Sequence, residues 1–591
     1  MWTISIRITE RSTPATITTI ARTTRAFHDY FVTHLPSSSL HPDAKSAGPH
    51  HKLPRDQSTP HDPRSTDRLP AAPPPMVGVS REMTVVRIPI KSAKHHFGVS
   101  FSRGQRPYNE DTFQAGTIEI PAFAKRRPMS LTRNPSKDIN GAGTSADSAS
   151  GDPQVFYFAV FDGHGGSECS EFLKDRLHEY IEDGAKEFEL QSTLKRKEGQ
   201  VWRFGQSSSP EGSEERRKEL ARTAESSRDH PKSPDKDEGA HGLHARTPSL
   251  KVSPPLKTSG SISKADELER SLVRSWKHLV GGYFRRFRPE YFSENAGGKG
   301  LILHPICRGV VQSEQGKKPD AEGVGIETVL EYSFLEADYD FVSAQVSKSE
   351  DDTASDRAIN ADEILGQPFK SAKHIGGPKR FKGGSTCSVA LISTPTPTPF
   401  WHPASPSTLI TSHVGDTRIL LCETATGLAI PTTSTHHPND PREAERMRRY
   451  AATFVTDSFG EERVLGLANT RAFGDMSSKR IGVSAEPEIC RFELEPAEYA
   501  FLVLVSDGIS GTLSDQEIVD IVKEARTPEQ GAKDVVNFAT EVTTEGDNAT
   551  ALVVRLGGWE RRSEGGLGSL GTKEMRDWRR QEALDPRSRQ R

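Results

Sequence analysis

Cysteine is scarce in this chain, and the few there are lie scattered. Five occur in 591 residues (Cys169, Cys307, Cys387, Cys422 and Cys490), with no pair at C-x-x-C spacing. That excludes a disulfide framework and a thiolate zinc module, and fits reduced, mostly buried thiols. Long apolar runs are also missing: none approaches the roughly 18 residues that a membrane span requires. Only 33% of the sequence is hydrophobic and mean hydropathy is -0.62. Much of the length therefore lies outside any packed core. Neither sign of charge dominates. A net charge of -3 excludes the basic field of a general nucleic-acid binder.

Pro, Ser and charge are concentrated in particular stretches, and these divide the chain. Residues 1–28 carry Arg7, Arg11, Arg22 and Arg25 against the single acid Glu10, the composition of a mitochondrial transit peptide, which is expected over 1–29. The expected address is the mitochondrial matrix or intermembrane space, with cytoplasm or nucleus as the alternative. Residues 30–84 are rich in Pro, Ser, His and Arg and read as a disordered linker. Ordered pattern begins near Val85–Ile90. One domain is expected over 97–556, with disordered insertions at 124–153 and 190–262. Residues 557–591 read as a polar basic tail.

Within that domain two apolar runs end in the same way. Phe156-Tyr157-Phe158-Ala159-Val160-Phe161 leads into Asp162-Gly163-His164-Gly165-Gly166, and Phe501-Leu502-Val503-Leu504-Val505-Ser506 leads into Asp507-Gly508. Each has the length of a buried strand that delivers a carboxylate to the end of a sheet. An amphipathic helix is predicted from about Ser167, its N-cap, with Phe172, Leu173, Leu177, Tyr180 and Ile181 on one stripe. A second is predicted over Glu267–Phe287. Further strands are predicted at Thr386–Ile392, Leu409–Val414, Arg418–Leu421, Tyr499–Val505 and Ala551–Val554.

Two more acidic segments complete a constellation: Arg106-Pro107-Tyr108-Asn109-Glu110-Asp111 and Gly546-Asp547-Asn548. Oxygen ligands without cysteine or paired histidine favour Mg²⁺ or Mn²⁺ over zinc. Converging carboxylates without a cation repel one another and take up protons. Two divalent ions supply the missing charge and suit a water that attacks phosphorus in line. Each piece alone is weak, since an Asp-Gly pair is more often a turn and a single Arg more often a solvated charge.

In order and company, the segments resemble the successive motifs of the metal-dependent type 2C protein Ser/Thr phosphatases, the PPM family. The resemblance also takes in Gly383-Gly384-Ser385-Thr386, Gly415-Asp416-Thr417-Arg418 and Leu467-Ala468-Asn469-Thr470-Arg471-Ala472-Phe473-Gly474-Asp475. From Tyr450 to Asn548 it is closest to the fungal mitochondrial branch. It implies an α+β fold, a four-layer α-β-β-α sandwich of two antiparallel sheets.

It also implies roles. Asp162 matches the carboxylate that bridges two Mg²⁺ or Mn²⁺ ions, and Gly163 the backbone carbonyl ligand. Glu110 matches a ligand of one ion, and Asp507 and Asp547 ligands of the other. Asp111 matches an acid that orients metal-bound water, Arg106 the phosphate-binding arginine, and His164 the general acid at the leaving oxygen. Asp416 matches an acid that helps hold a third ion. Where the family carries that ion's second acid, Gly511 stands here.

The implied activity is hydrolysis of phosphoserine and phosphothreonine by direct attack of a metal-bridging water or hydroxide. Phosphorylated proteins, mitochondrial ones first, are the implied partners, with no nucleic acid, no membrane span and a monomeric enzyme. A catalytically silent binding module and a different metal phosphoesterase such as a nuclease are the competing readings. None of the two-ion ligands is lost, which counts against the first. The near-neutral charge, with no basic-aromatic track, counts against the second.

Overall fold

The structure is a computed structural model. It describes residues 30–36, 83–89, 96–126, 152–194, 253–256, 258, 261–300, 323–348, 375–377, 379–396, 398–449, 454–456, 462–464, 466–543, 546–562 and 567–584. The 1–29 segment, Cys307 and most of the 124–153 and 190–262 insertions lie outside the described residues. The other four cysteines are free and buried.

Two antiparallel sheets form the centre. The strands, in chain order, are β1 (Tyr30–Pro36), β2 (Met83–Pro89), β3 (Phe97–Ser102), β4 (Thr112–Ile118), β5 (Val155–His164), β6 (Gly384–Ser393) and β7 (Ser407–Val414). They continue with β8 (Arg418–Glu423), β9 (Ala429–Pro431), β10 (Phe454–Thr456), β11 (Glu462–Val464), β12 (Phe473–Gly474), β13 (Glu488–Leu494), β14 (Tyr499–Val505) and β15 (Ala549–Arg555). One sheet runs β13-β7-β6-β5-β4, with β12 also paired to β6, and the other runs β3-β15-β14-β8-β9.

The period-2 alternation of the apolar strands explains why the sheets stack. In β5, Phe156, Phe158 and Val160 face an apolar layer shared with Leu502 and Leu504 of β14 and Leu552 and Val554 of β15. The intervening Tyr157, Ala159 and Phe161 face the other way, onto Leu173, Leu177 and Ile181 of the Glu168–Glu187 helix and Leu330 and Phe334 of the Ile326–Val346 helix. On the far side, Val503, Val505, Ala551 and Val553 pack against Ile518 and Val522 of Asp515–Glu524 and Val535 and Phe538 of Pro528–Val542. Helix, sheet, sheet, helix: the expected four layers are present. Strands apolar on both faces can only sit inside such a stack.

Several local features differ from the sequence reading. The Glu267–Phe287 prediction resolves into an α-helix at Ile262–Leu279 and a 3-10 turn at Gly282–Arg286. Gly281 and Gly282, both at positive φ, break it. Ser167 does stand at the N-cap, but its hydroxyl donates to Glu171 instead of capping a backbone N–H. Tyr30–Pro36 pairs antiparallel with Met83–Pro89, so the ends of the expected 30–84 linker form a ribbon. The polar tail contains a helix, Leu567–Leu584, held to the Asp515–Glu524 helix by Arg576–Glu524 and Arg579–Glu517 ion pairs. Its basic residues meet acids across an interface, which composition alone does not reveal.

Candidate active site

The loops that carry the acidic segments meet at one end of the sandwich. β5 ends at Asp162–His164 beside β6, where Asp162 lies opposite Thr386. β14 ends one residue before the short Asp507–Ser510 helix, and Asp416 sits in the turn from β7 to β8, which joins the two sheets. Carboxylate oxygens of Asp162, Asp416 and Asp507 lie within 4.8 Å of one another. The backbone N–H of Asp507 donates to Asp162 Oδ2 at 3.3 Å, tying the two strand ends together.

Glycine makes the close approach possible. A Cβ on Gly163 would lie 2.5 Å from the Glu110 carbonyl oxygen. Gly166, at φ +124°, turns its N–H onto the Glu110 carboxylate at 2.8 Å. Glu110 is held further by its own N–H, which donates to Asn548 Oδ1 at 2.7 Å, and by its carbonyl, which accepts from Ser170 Oγ at 2.5 Å. The Asn548 amide also donates to the carbonyls of Arg103 and Tyr108, at 3.0 and 3.1 Å. Arg106 reaches back over this loop to Asp547 Oδ2, at 2.7 Å.

So many acids raise one another's pKa. Burial pushes Asp162 well above the ordinary carboxylate value, and Asp507, Asp111 and Asp416 push it further. Asp507 is likewise well raised, by burial first and then by Asp416, Asp547 and Asp111. Asp111, buried and accepting from Thr550 Oγ1 at 2.8 Å, is raised to about 6, chiefly by burial. One buried oxygen of Asp111 and one of Asp416 lack a hydrogen-bond partner in the protein. Repelling acids with unpaired oxygens and no nitrogen or sulfur donor among them fit hard divalent cations.

The described residues include every sequence-predicted site residue. Asp162, Asp416 and Asp507 form the tight carboxylate group, Asp111 abuts it, and Asp547 and Glu110 stand alongside, engaged by Arg106 and by Gly166 N–H. His164 Nε2 lies 2.9 Å from Asp475 Oδ2. Burial lowers the imidazole pKa, but the Asp475 carboxylate more than offsets it, and His164 stands above its ordinary value.

Residues 321–548 match the protein-family description Protein phosphatase 2C. The chain carries a protein phosphatase 2C domain, that of a protein serine/threonine phosphatase. Protein phosphatase 2C homolog 4 of Schizosaccharomyces pombe is 28% identical over 480 residues, covering 81% of this chain and 84% of that protein. "Protein phosphatase 1K, mitochondrial" of Xenopus laevis is 38% identical over 152 residues, covering 26% of this chain and 40% of the relative. The crystal structure of serine-threonine phosphatase 2C from Toxoplasma gondii aligns with TM-score 0.37 and 16% identity, over 78% of this chain and 94% of that one.

The phosphatase 2C site has supporting residues to which the sequence reading gave no role. Asn469 Nδ2 donates to Asp416 Oδ2 at 2.9 Å, and His437 Nε2 lies 3.6 Å from the same oxygen. Asp475 and Asn548 belong to quoted segments, but only their contacts in space reveal what they do. No helix among the described residues is long and apolar enough to cross a membrane.

Proposed function

We propose that this phosphatase 2C domain hydrolyses phosphoserine and phosphothreonine on proteins with two Mg²⁺ or Mn²⁺ ions in the acidic cluster. The observation that carries the reading is the meeting of Asp162, Asp416 and Asp507 within 4.8 Å, from three separate parts of the chain. Asp162, the Gly163 carbonyl, Glu110, Asp507 and Asp547 would hold the ions. Asp416 would join the same pair, because its carboxylate belongs to the central cluster while Gly511 offers no carboxylate for a separate third ion. Bound there, such ions neutralise phosphate charge and bring the pKa of water toward neutrality.

The chain's own groups do the rest. Arg106 leaves Asp547 to hold two phosphate oxygens, a geometry the guanidinium fork favours. Asp111 orients the attacking water. His164, kept protonated by Asp475 at Nε2, gives a proton from Nδ1 to the departing seryl or threonyl oxygen. Such an acid contributes roughly 10²–10⁴ in rate.

The enzyme acts as a monomer on mitochondrial phosphoproteins. The arginine-rich, acid-poor 1–29 segment supports that address, as does the name of the Xenopus relative. Phosphate release from a phosphothreonine peptide with Mn²⁺, against an Asp162→Ala control, tests the activity. Equal rates for the two proteins overturn it. Import of the labelled full chain into isolated mitochondria tests the address, and retention outside, fully protease-sensitive, overturns that part.

A further inference from the structure

We infer that Asp338, on the Ile326–Val346 helix and far from the acidic cluster in sequence, is a positioning residue for His164, acting through the Phe473–Asp475 turn. The inference rests on the phosphatase reading above and on His164 as its acid.

The chain of contacts is short. Asp338 Oδ1 accepts from the Gly474 N–H at 2.8 Å, and Asp338 Oδ2 pairs with Lys479 Nζ at 2.5 Å. Lys479 Nζ also donates to the Ala472 carbonyl at 2.8 Å, so the pair grips the turn on both sides. Both side chains are fully buried. A charge pair so enclosed is costly to desolvate, and a purely structural tie could be made by apolar packing instead. What the pair holds is unusual: Gly474 is at φ +71° and Asp475 at φ +44°, a left-handed conformation that a non-glycine residue rarely adopts.

The held conformation serves Asp475. Its N–H donates to the Gly383 carbonyl at 2.9 Å, and its carboxylate lies over Gly384, where a Cβ would stand 2.5 Å from Oδ2. That places Oδ2 2.9 Å from His164 Nε2. β12 itself pairs for only two residues, Phe473 and Gly474, with β6. Such a short strand cannot fix a side chain by ladder bonds alone. Asp338 supplies the missing restraint from a rigid helix, and a misplacement of about 1 Å at such a site can cost on the order of 10²-fold in rate.

The test uses the full chain with Mn²⁺ and two substrates, a phosphothreonine peptide and p-nitrophenyl phosphate, whose leaving group departs without a proton. Asp338→Asn keeps an acceptor for Gly474 and removes the charge. It should lower kcat on the peptide about 10- to 100-fold at unchanged KM, and leave p-nitrophenyl phosphate turnover nearly unchanged. In a His164→Ala background it should add no further loss. Asp520→Asn breaks an equally buried pair, with Lys523 on the other helical layer, and should show no substrate selectivity. If Asp338→Asn does not fold, Lys479→Gln, which keeps a neutral donor, carries the same comparison. Equal losses on both substrates, or a full further loss without His164, overturn the inference alone. A wild-type chain inert on both substrates overturns the phosphatase reading and this inference with it.

Discussion

Asp475 holds His164 by a 2.9 Å contact between Oδ2 and Nε2, with the aspartate side chain almost fully buried and the histidine side chain one-third exposed. The buried partner fixes the ring, and the exposed edge is left for substrate. Asp475→Ala should therefore lower kcat on a phosphothreonine peptide by about 10- to 100-fold, within the range a general acid supplies. Turnover of p-nitrophenyl phosphate should hold. Parallel kinetics on the two substrates check this, and equal losses contradict it.

The acidic cluster should destabilise the protein when no cation is bound. For Asp162 and Asp507, whose folded pKa values are raised, the stabilising contribution is complete below the ordinary carboxylate value of 3.8 and is lost as pH rises through the higher folded values. In chelator, Asp162→Asn should raise the thermal midpoint at neutral pH while abolishing turnover. Saturating Mn²⁺ should stabilise the wild type, by about 2.7 kcal/mol per site at 100 times Kd, and leave the variant nearly unmoved. Thermal melts with and without Mn²⁺ decide it.

Asn548 clamps the Arg103–Glu110 loop through one accepted and two donated hydrogen bonds. Asn548→Ala removes the partner of the Glu110 N–H and of the Tyr108 carbonyl, at a cost of roughly 1–3 kcal/mol. Because Arg106 and Glu110 ride on that loop, KM for phosphopeptide should rise more than the loss of stability explains. Steady-state kinetics well below the variant's melting temperature separate the two effects.

Glu443 lies buried between two arginines, accepting from Arg446 Nη2 at 2.7 Å and Arg471 Nη2 at 2.8 Å. Burial pushes its pKa up, but the two guanidiniums outweigh this and hold it well below 4.5. A lowered folded pKa contributes stability that is present above 4.5 and lost as pH falls through the folded value. Glu443→Gln strands two buried cations and should cost roughly 3–5 kcal/mol at neutral pH. Urea unfolding midpoints at neutral and acid pH measure both the loss and its disappearance in acid.

The sandwich was legible because its strands are apolar runs with abrupt polar ends, as in Phe156–Phe161 and Phe501–Val505. Asp162 and Asp507 were legible because they sit at those ends, each followed by a glycine. The Ile326–Val346 helix was not, since Val329, Leu330, Phe334, Leu335, Phe341 and Val342 are buried around it together with Glu331 and Asp338, leaving no one-sided stripe. Its three buried acids, Glu327, Glu331 and Asp338, resemble a solvated face until their partners are seen. Asp475 and Asn548 escaped for a related reason. Their role is a contact with residues hundreds of positions away in the chain, and only the register between strands brings them there.

Calorimetric titration of Mn²⁺ into the metal-free chain tests the acidic cluster most directly. Two ions should bind per wild-type molecule, and none with comparable affinity to Asp162→Ala. An absence of binding to the wild type, or the same isotherm for both proteins, contradicts the account.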